Sequence, residues 1–570
     1  MSDRSQHTSN ATPWQSLDHL AGDLVDKGES INGTTAGSLV DSAVSRRGFM
    51  TIMGASMALT AAACRRPDQK LIASVESKQV PAPGLPVDYA SVYSHRNVAY
   101  GALIKSREGR PIKVKGNELH PSNCGTSSSE MQATLLSVYD PDRLRRPRVS
   151  KSGGATSYDN AVTKIADAVT EAQNAGKKAV VVIDEHCSPS FTALMTDLSA
   201  AVPAMSFVMM PSIVADNAAI ANKAVLGIDG ELVPDLGKAK VIVSVDADVL
   251  GTDKLALHHT GRYAARRTPT SKSPSMSLLI VAEAQYSLTG ANADERVRLH
   301  PSQIEAYLGA LEAEVVGSAA IGGQLASAAN AETKKAAQRA AVALKAAPGE
   351  AVVLAGRHLS PLANAVALNI SNALGSVGFG LAIDPAHVLP NSGAKQPGIN
   401  ALVNDLNAGS VHALIFCGTN PEYTADRSFR TAMIKAPVRA AINLYEDETA
   451  VNCAVSIPGS HWLESWGDAI AYDGTLSVQQ PMIAPMNDGV ASTNDTFMLI
   501  AKKVNDGAFT GVNNYYTYVM NRWAGLGDWR KVLQDGVLKP TAPITMASAV
   551  QVAGAASLPS GKVAAGRVVM

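Results

Sequence analysis

Six short, unbroken apolar runs recur along the chain: KAVVVIDE, KVIVSVDA, SLLIVAEA, AVVLAGR, ALIFCGTN and VRAAINLYED. A strand with one wet face alternates apolar and polar residues. A run that is apolar at every position is buried on both faces, as in a parallel sheet covered by helices. Alanine-rich stretches with helical spacing separate the runs, among them Tyr158 to Gln173 and Asn330 to Ala346. This alternation predicts an α/β fold of doubly wound parallel-sheet domains with right-handed crossovers.

Several runs end in polar turns of the kind that line a ligand crevice at the carboxyl edge of such a sheet. They are Asp246-Ala247-Asp248, Gly356-Arg357-His358 and Gly418-Thr419-Asn420-Pro421. Backbone amides and polar tips there suit a nucleotide-like ligand. Every parallel sheet has such turns, however, whether or not it binds anything.

Upstream, YGALIKSREGRPIKVKGNELHP alternates around Glu108-Gly109-Arg110 and reads as two strands joined by a tight turn. The chain divides into a polar leader with an export signal over 1–64, an extended Pro-rich linker over 65–86 and a small β-rich domain over 87–149. The α/β domains follow over 150–505, and then a C-terminal tail over 506–570. The tail's aromatic stretch, YYTYVMNRWAGLGDWRKVLQDG, suits either covering a core edge or docking on a partner.

Lys+Arg and Asp+Glu both total 50, so no global field favours nucleic acid or an acidic lipid surface, and no nucleic-acid partner is expected. The five cysteines, Cys64, Cys124, Cys187, Cys417 and Cys453, include no close pair. The short loops that wrap an iron–sulfur cluster or a structural zinc are therefore not encoded locally.

Arg46 and Arg47 open a weakly hydrophobic, Gly- and Ala-rich stretch that ends at Ala63. It falls short of the ~20 residues that span a bilayer as a helix. Paired arginines ahead of such a stretch read as a twin-arginine signal, which exports folded proteins. Cys64 stands where a bacterial lipoprotein is cleaved and acylated, with Ala61 in place of the usual Leu three positions earlier, and is a candidate lipidation site.

Near the end of the α/β region, His461, Glu464 and Asp468 admit two readings. They are metal ligands on one helical face, or a hydrogen-bonded corner between domains, which is the favoured account.

GRPIKVKGNELHPSNCG followed by LLSVYDPDRLRRP, then IFCGTNPEYT, DETAVNCAVSIPGSHWLESWGD and DGTLSVQQPMIAP, resembles the molybdopterin oxidoreductase superfamily in the right order over about residues 85 to 500. SRRGFMTIMGAS, ACRRPDQK and VPAPGLPVDYAS look more narrowly like the B subunit of bacterial alternative complex III. In that family an extended twin-arginine leader precedes a molybdopterin-enzyme-like half without cofactor, and a ferredoxin-like half with iron–sulfur clusters follows.

Cluster-bearing members of the superfamily place three cysteines before the strand pair and a fourth after the His-Pro turn. Here DYASVYSHRNVAYG has no cysteine, the fourth position falls on Ser128, and Cys124 stands alone. Cys187 follows an apolar run where a molybdenum thiolate is imaginable, but its loop lacks the family's following pattern. The family's C-terminal β-rich domain, which completes pterin dinucleotide binding, also has no counterpart after QQPMIAP.

The resemblance thus implies a subunit with no catalytic, cofactor-binding or metal-binding residues of its own, within an exported complex passing electrons from quinol to periplasmic cytochrome c. Its implied partners are an iron–sulfur ferredoxin-like subunit carrying the clusters, polytopic quinol-oxidising membrane subunits and a multihaem cytochrome c, at the periplasmic face of the bacterial inner membrane. Whether the iron–sulfur half is a separate chain is open at this stage. The alternative is an active molybdenum or tungsten enzyme holding molybdopterin guanine dinucleotide, similar to polysulfide or tetrathionate reductases.

Overall fold

The computed structural model describes residues 84–149, 154–211, 217–269, 275–390, 398–486, 491–540 and Leu558; Arg46, Arg47 and Cys64 lie outside these. Three antiparallel strands come first: β1 (Val87–His95), β2 (Val98–Arg107) and β3 (Arg110–Gly116), neighbours in that order. Both connections are two-residue turns with positive φ, Arg96-Asn97 at 49° and 60° and Glu108-Gly109 at 51° and 77°. Turns of this hand match the twist of paired strands. The expected hairpin at Glu108-Gly109 is present, with β1 as a strand beyond the two foreseen.

Helix α1 (Ser129–Tyr139) begins at the Ser128 cap, whose hydroxyl accepts from the Met131 amide. Its Met131 and Val138 pack into one cluster with Val98, Tyr100, Ala102 and Ile104 of β2. Helix α2 (Tyr158–Asn174) leads to β4 (Lys178–Ile183), helix α3 (Pro189–Ala201) and β5 (Met205–Met209).

A second α/β unit follows: β6 (Gly230–Leu232), β7 (Val241–Val245), α4 (Ala256–Arg267), β8 (Leu278–Glu283), β9 (Glu295–Arg298), α5 (Ala331–Lys345), β10 (Ala351–Ala355), α6 (Pro361–Ala373) and β11 (Val388–Pro390). The chain then returns with β12 (Val411–Cys417), β13 (Val438–Asn443) and β14 (Val455–Pro458), and with the hairpin strands β15 (Gly467–Ile470) and β16 (Leu476–Gln479).

All six apolar runs are strands of parallel sheets. Four strands run in the order β10-β7-β8-β9 and five in the order β14-β13-β12-β4-β5. The four-stranded unit is thus inserted between β5 and β12 of the other. The helices expected at Tyr158 and Asn330 are α2 and α5, the latter capped by the Asn330 side chain.

Successive strand residues face opposite sides of a sheet. In the five-stranded sheet Val181, Ile183, Ala413 and Ile415 enter one core, while Val180, Val182, Leu414 and Phe416 enter the other. Double-sided burial is why these runs lack polar alternation.

The stretch set apart as a tail from residue 506 also contributes to the first of these cores. It forms helices α7 (Tyr515–Trp523) and α8 (Trp529–Asp535), and Tyr515, Tyr518, Val519 and Trp523 are buried with α2 and β4. The aromatic cluster therefore covers a core edge. No helix among the described residues is long and apolar enough to cross a membrane.

Gly116 ends β3 where the chain folds back, and a Cβ there would stand 2.1 Å from the Thr126 carbonyl oxygen. Backbone cannot yield as a flexible side chain does. Gly116→Ala should cost about 1–3 kcal/mol or more, as overpacking does, in urea denaturation; unchanged stability would refute the close approach.

Candidate functional site

Ligands of open α/β sheets bind where the strand order reverses, beyond the carboxyl ends of the two strands flanking the reversal. The four-stranded sheet reverses between β7 and β10, the five-stranded sheet between β4 and β12. The sequence-predicted turns lie at these points.

After β12, Gly418 takes φ +63° and its amide donates to the Asn443 side-chain oxygen at 2.9 Å. The Asn443 amide nitrogen donates to Asp447 at 2.7 Å, and that of Asn420 to Glu448 at 2.6 Å. The Asn420 side-chain oxygen accepts from Thr449 at 2.8 Å. Most of these polar tips are therefore occupied by the loop after β13; the buried Thr419 hydroxyl has no hydrogen-bond partner.

Beyond β7, Asp248 accepts from the amide and hydroxyl of Thr289 at 2.9 and 2.8 Å. Asp246 accepts from His358 Nε2 at 2.9 Å. That bond raises the His358 pKa.

His461 and Glu464 lie in one hydrogen-bonded corner with Arg143 and Ser137, as the favoured reading expects of them, but Asp468 does not share it. Only a short 3-10 turn, Trp462–Glu464, links them to β15, so they share no helical face. Glu464 forms a bidentate pair with Arg143 at 2.8 and 2.6 Å, both side chains being about 95% or more buried. Its carboxylate also accepts from the His461 and Met486 amides. Burial alone raises the Glu464 pKa; the guanidinium and these amides outweigh it, and the group sits below its ordinary value.

Asp468 faces elsewhere, accepting from the Ser188 and Ser190 hydroxyls, the Ser190 amide at 3.1 Å and Trp523 Nε1 at 3.0 Å. Among the described residues no group of His, Cys, Asp and Glu is arranged to hold a metal.

The position that carries the fourth cluster cysteine in the resembled enzymes borders a cavity of roughly 250 Å³. Its walls include Tyr93 and His95 of β1, the Ser128–Glu130 start of α1 and the loop Gly251–Leu257, which runs into the first residues of α4. Tyr93 stacks on His95, whose Nε2 lies 3.4 Å from Glu130. Burial lowers the His95 pKa and, with Glu130, pushes the Tyr93 hydroxyl up to about 12, so both rings favour their neutral forms at physiological pH.

An iron–sulfur cluster is held by several cysteine thiolates, at least two of them even where histidines share the ligation. Ser128 is engaged as a helix cap, and Cys124, exposed with φ +43°, points its thiol at the Pro121 carbonyl. The residues present do not fit a cluster.

Nor does Cys187 fit a molybdenum ligand. Its sulfur lies 3.1 Å from the Ser94 hydroxyl, within a buried cluster of Val92, Ala99 and Ala469. Burial pushes the thiol up to about 11, and a metal binds the thiolate.

No family model matches the chain. The menaquinone reductase molybdopterin-binding-like subunit of Nitratidesulfovibrio vulgaris is 25% identical over 433 residues, which is 68% of this chain and 61% of that protein. Among solved structures, acetylene hydratase from Pelobacter acetylenicus matches with a TM-score of 0.61 at 12% identity, over 80% of this chain and 74% of that one. The chain is molybdopterin-oxidoreductase-like. The sequence match covers less than two thirds of the relative's length, and the structural likeness carries the fold alone.

Sequence reasoning did not pair Arg143 with Glu464, because 321 positions separate them. Nor did it single out Tyr93, His95 and Glu130 as the walls of a cavity. The only available signal was the basic run RLRRP, in which a buried arginine looks like its exposed neighbours.

Arg143→Met leaves a buried carboxylate unpaired and should cost about 3–5 kcal/mol. Arg143→Met with Glu464→Met should recover most of that, because the second change removes the uncompensated charge. Additive losses in chemical denaturation would refute a coupled pair.

Burial holds several rings neutral, among them His120, His186 and His461 with pKa values lowered to about 4 and His258 to about 3, from 6.5. Between about pH 6.5 and 4 the unfolded chain binds protons that the folded chain refuses. Stability should therefore fall as pH drops through that window, by about 1.4 kcal/mol per unit for each such ring. A melting temperature that stays flat from pH 7 to 5 would contradict this.

Proposed function

We propose that this chain is a non-catalytic structural subunit of an exported respiratory electron-transfer complex linked to quinone, of the alternative complex III type. It holds an iron–sulfur, ferredoxin-like subunit against polytopic quinol-oxidising membrane subunits and a multihaem cytochrome c, on the periplasmic face of the inner membrane. Redox chemistry then belongs to the assembly, since function lives in sites grafted onto folds.

The observation that carries this reading is the reuse of the donor positions. Ser128 caps a helix, and Cys187 is a sealed neutral thiol. The quinone link is supported by the relative's name, which joins a molybdopterin-binding-like subunit to menaquinone chemistry. The export route rests on Arg46 and Arg47, and a lipid anchor, if one is attached, on Cys64.

Elemental and pterin analysis of the purified native complex tests the central point. Molybdenum and tungsten should be far below one atom per chain, with non-haem iron and acid-labile sulfide present and lost when the iron–sulfur partner is removed. Either metal near one atom per chain, together with extractable pterin, would replace this reading with a catalytic one. Arg46→Lys combined with Arg47→Lys should leave the chain in the cytoplasm; normal export of that variant would remove the twin-arginine assignment.

A further inference from the structure

The reversal point of the four-stranded sheet holds a charged cluster that the proposed function does not use. Arg357, just beyond β10, donates from Nε and an Nη to the Asp253 carboxylate at 2.8 and 3.1 Å. The same guanidinium is ion-paired with Glu231 of β6, and Lys254 Nζ lies 2.9 Å from the other Glu231 oxygen. All four side chains are about 85% or more buried.

The space left in the crevice is about 90 Å³, lined by Arg357, Glu231 and Asp253 together with His259, Asn222 and Asn364. Pockets that take cofactor-sized ligands run from about 300 to 1,000 Å³. A phosphate entering here would meet two carboxylates and would have to displace them from Arg357.

Asp253 lines this crevice and also the cavity beside Ser128. The Tyr100 hydroxyl of β2 donates to the Lys254 carbonyl, tying the same loop to the small sheet. One loop therefore forms a wall of both spaces.

We propose that the Arg357–Glu231–Asp253–Lys254 cluster is an internal lock: it closes the crevice to nucleotide-like anions and braces the loop Gly251–Leu257 in the place of a bound dinucleotide. The lock rests on the cofactor-free reading above and explains how a molybdopterin-oxidoreductase-like shape keeps its crevice folded without a ligand. Arg357 acts as a positioning residue for that loop.

The test uses the native complex. Arg357→Met strands two buried carboxylates against a single lysine and should lower the melting temperature by roughly 5 °C or more. It should also speed hydrogen exchange in Gly251–Leu257 and Val98–Tyr100. Arg357→Gln with Asp253→Asn leaves the Lys254–Glu231 pair balanced and should recover most of the loss.

GDP, as a probe for the phosphate-bearing half of a dinucleotide, should not shift the wild-type melting temperature at millimolar concentration. The lock is overturned if Arg357→Met melts with wild type, if the double variant is as unstable as the single, or if GDP stabilises the wild-type complex. Pterin and molybdenum in the same preparation would instead overturn the proposed function, so the two failures are distinguishable.

Discussion

The Arg143–Glu464 pair is the contact on which the corner of this molecule depends. Arg143 follows α1 of the small β-rich region, and Glu464 lies between β14 and β15 beside the five-stranded sheet. Taking two charges out of water costs several kcal/mol per ion, and attraction offsets this only when the remaining polar atoms are also bonded. Here the guanidinium also donates to the Val138 carbonyl, and the carboxylate accepts two backbone amides. The pair thus contributes little surplus stability, and its bidentate geometry with the added bonds, which leave only Arg143 Nε without a partner, favours this one docking of the two regions.

The histidine beside it belongs to the same arrangement. His461 Nδ1 accepts from the Leu463 amide, which leaves Nε2 to donate to the Ser137 hydroxyl of α1 at 3.1 Å. This fixes a neutral tautomer and adds a second tie between α1 and the turn. A His, a Glu and an Asp close in sequence look like metal ligands only while their partners are unknown. Once Arg143, Ser137 and the Ser188–Ser190 turn are in place, each acid and ring has its own destination.

That contrast shows what was legible in the sequence. Burial on both faces leaves a local mark, so six of the nine parallel strands, and the helices capped by Ser157 and Asn330, could be read directly, while the short strands β5, β9 and β14 could not. The insertion of the four-stranded unit between β5 and β12 left none, because strand order depends on contacts hundreds of residues apart. Helices α7 and α8 were missed for another reason. Their apolar content is aromatic and interrupted by Asn, Arg and Gly, so they show no clean period until Trp523 is seen donating to Asp468. The cavity beside Ser128 was legible only as an absence of cysteine. Its wall of Tyr93, His95 and Glu130 comes from three-dimensional proximity.

The two sheet reversals handle the same problem in different ways. A crevice built for a ligand exposes amides and polar tips that go unsatisfied without one, and unsatisfied buried polar groups each cost about 1–3 kcal/mol. Beyond β12, side chains from the end of β13 and the loop after it bond the tips, with Asn443 reaching Gly418, and Glu448 and Thr449 reaching Asn420. Beyond β7 and β10, balanced charges do so, with one guanidinium shared between Asp253 and Glu231. The first solution is short-range, since its residues lie within one βαβ step. The second draws on β6, the loop after β7 and the turn after β10, and it reaches the small sheet through Tyr100. It is the one of the two that joins separate parts of the fold, which is why its loss should be felt at a distance from the crevice.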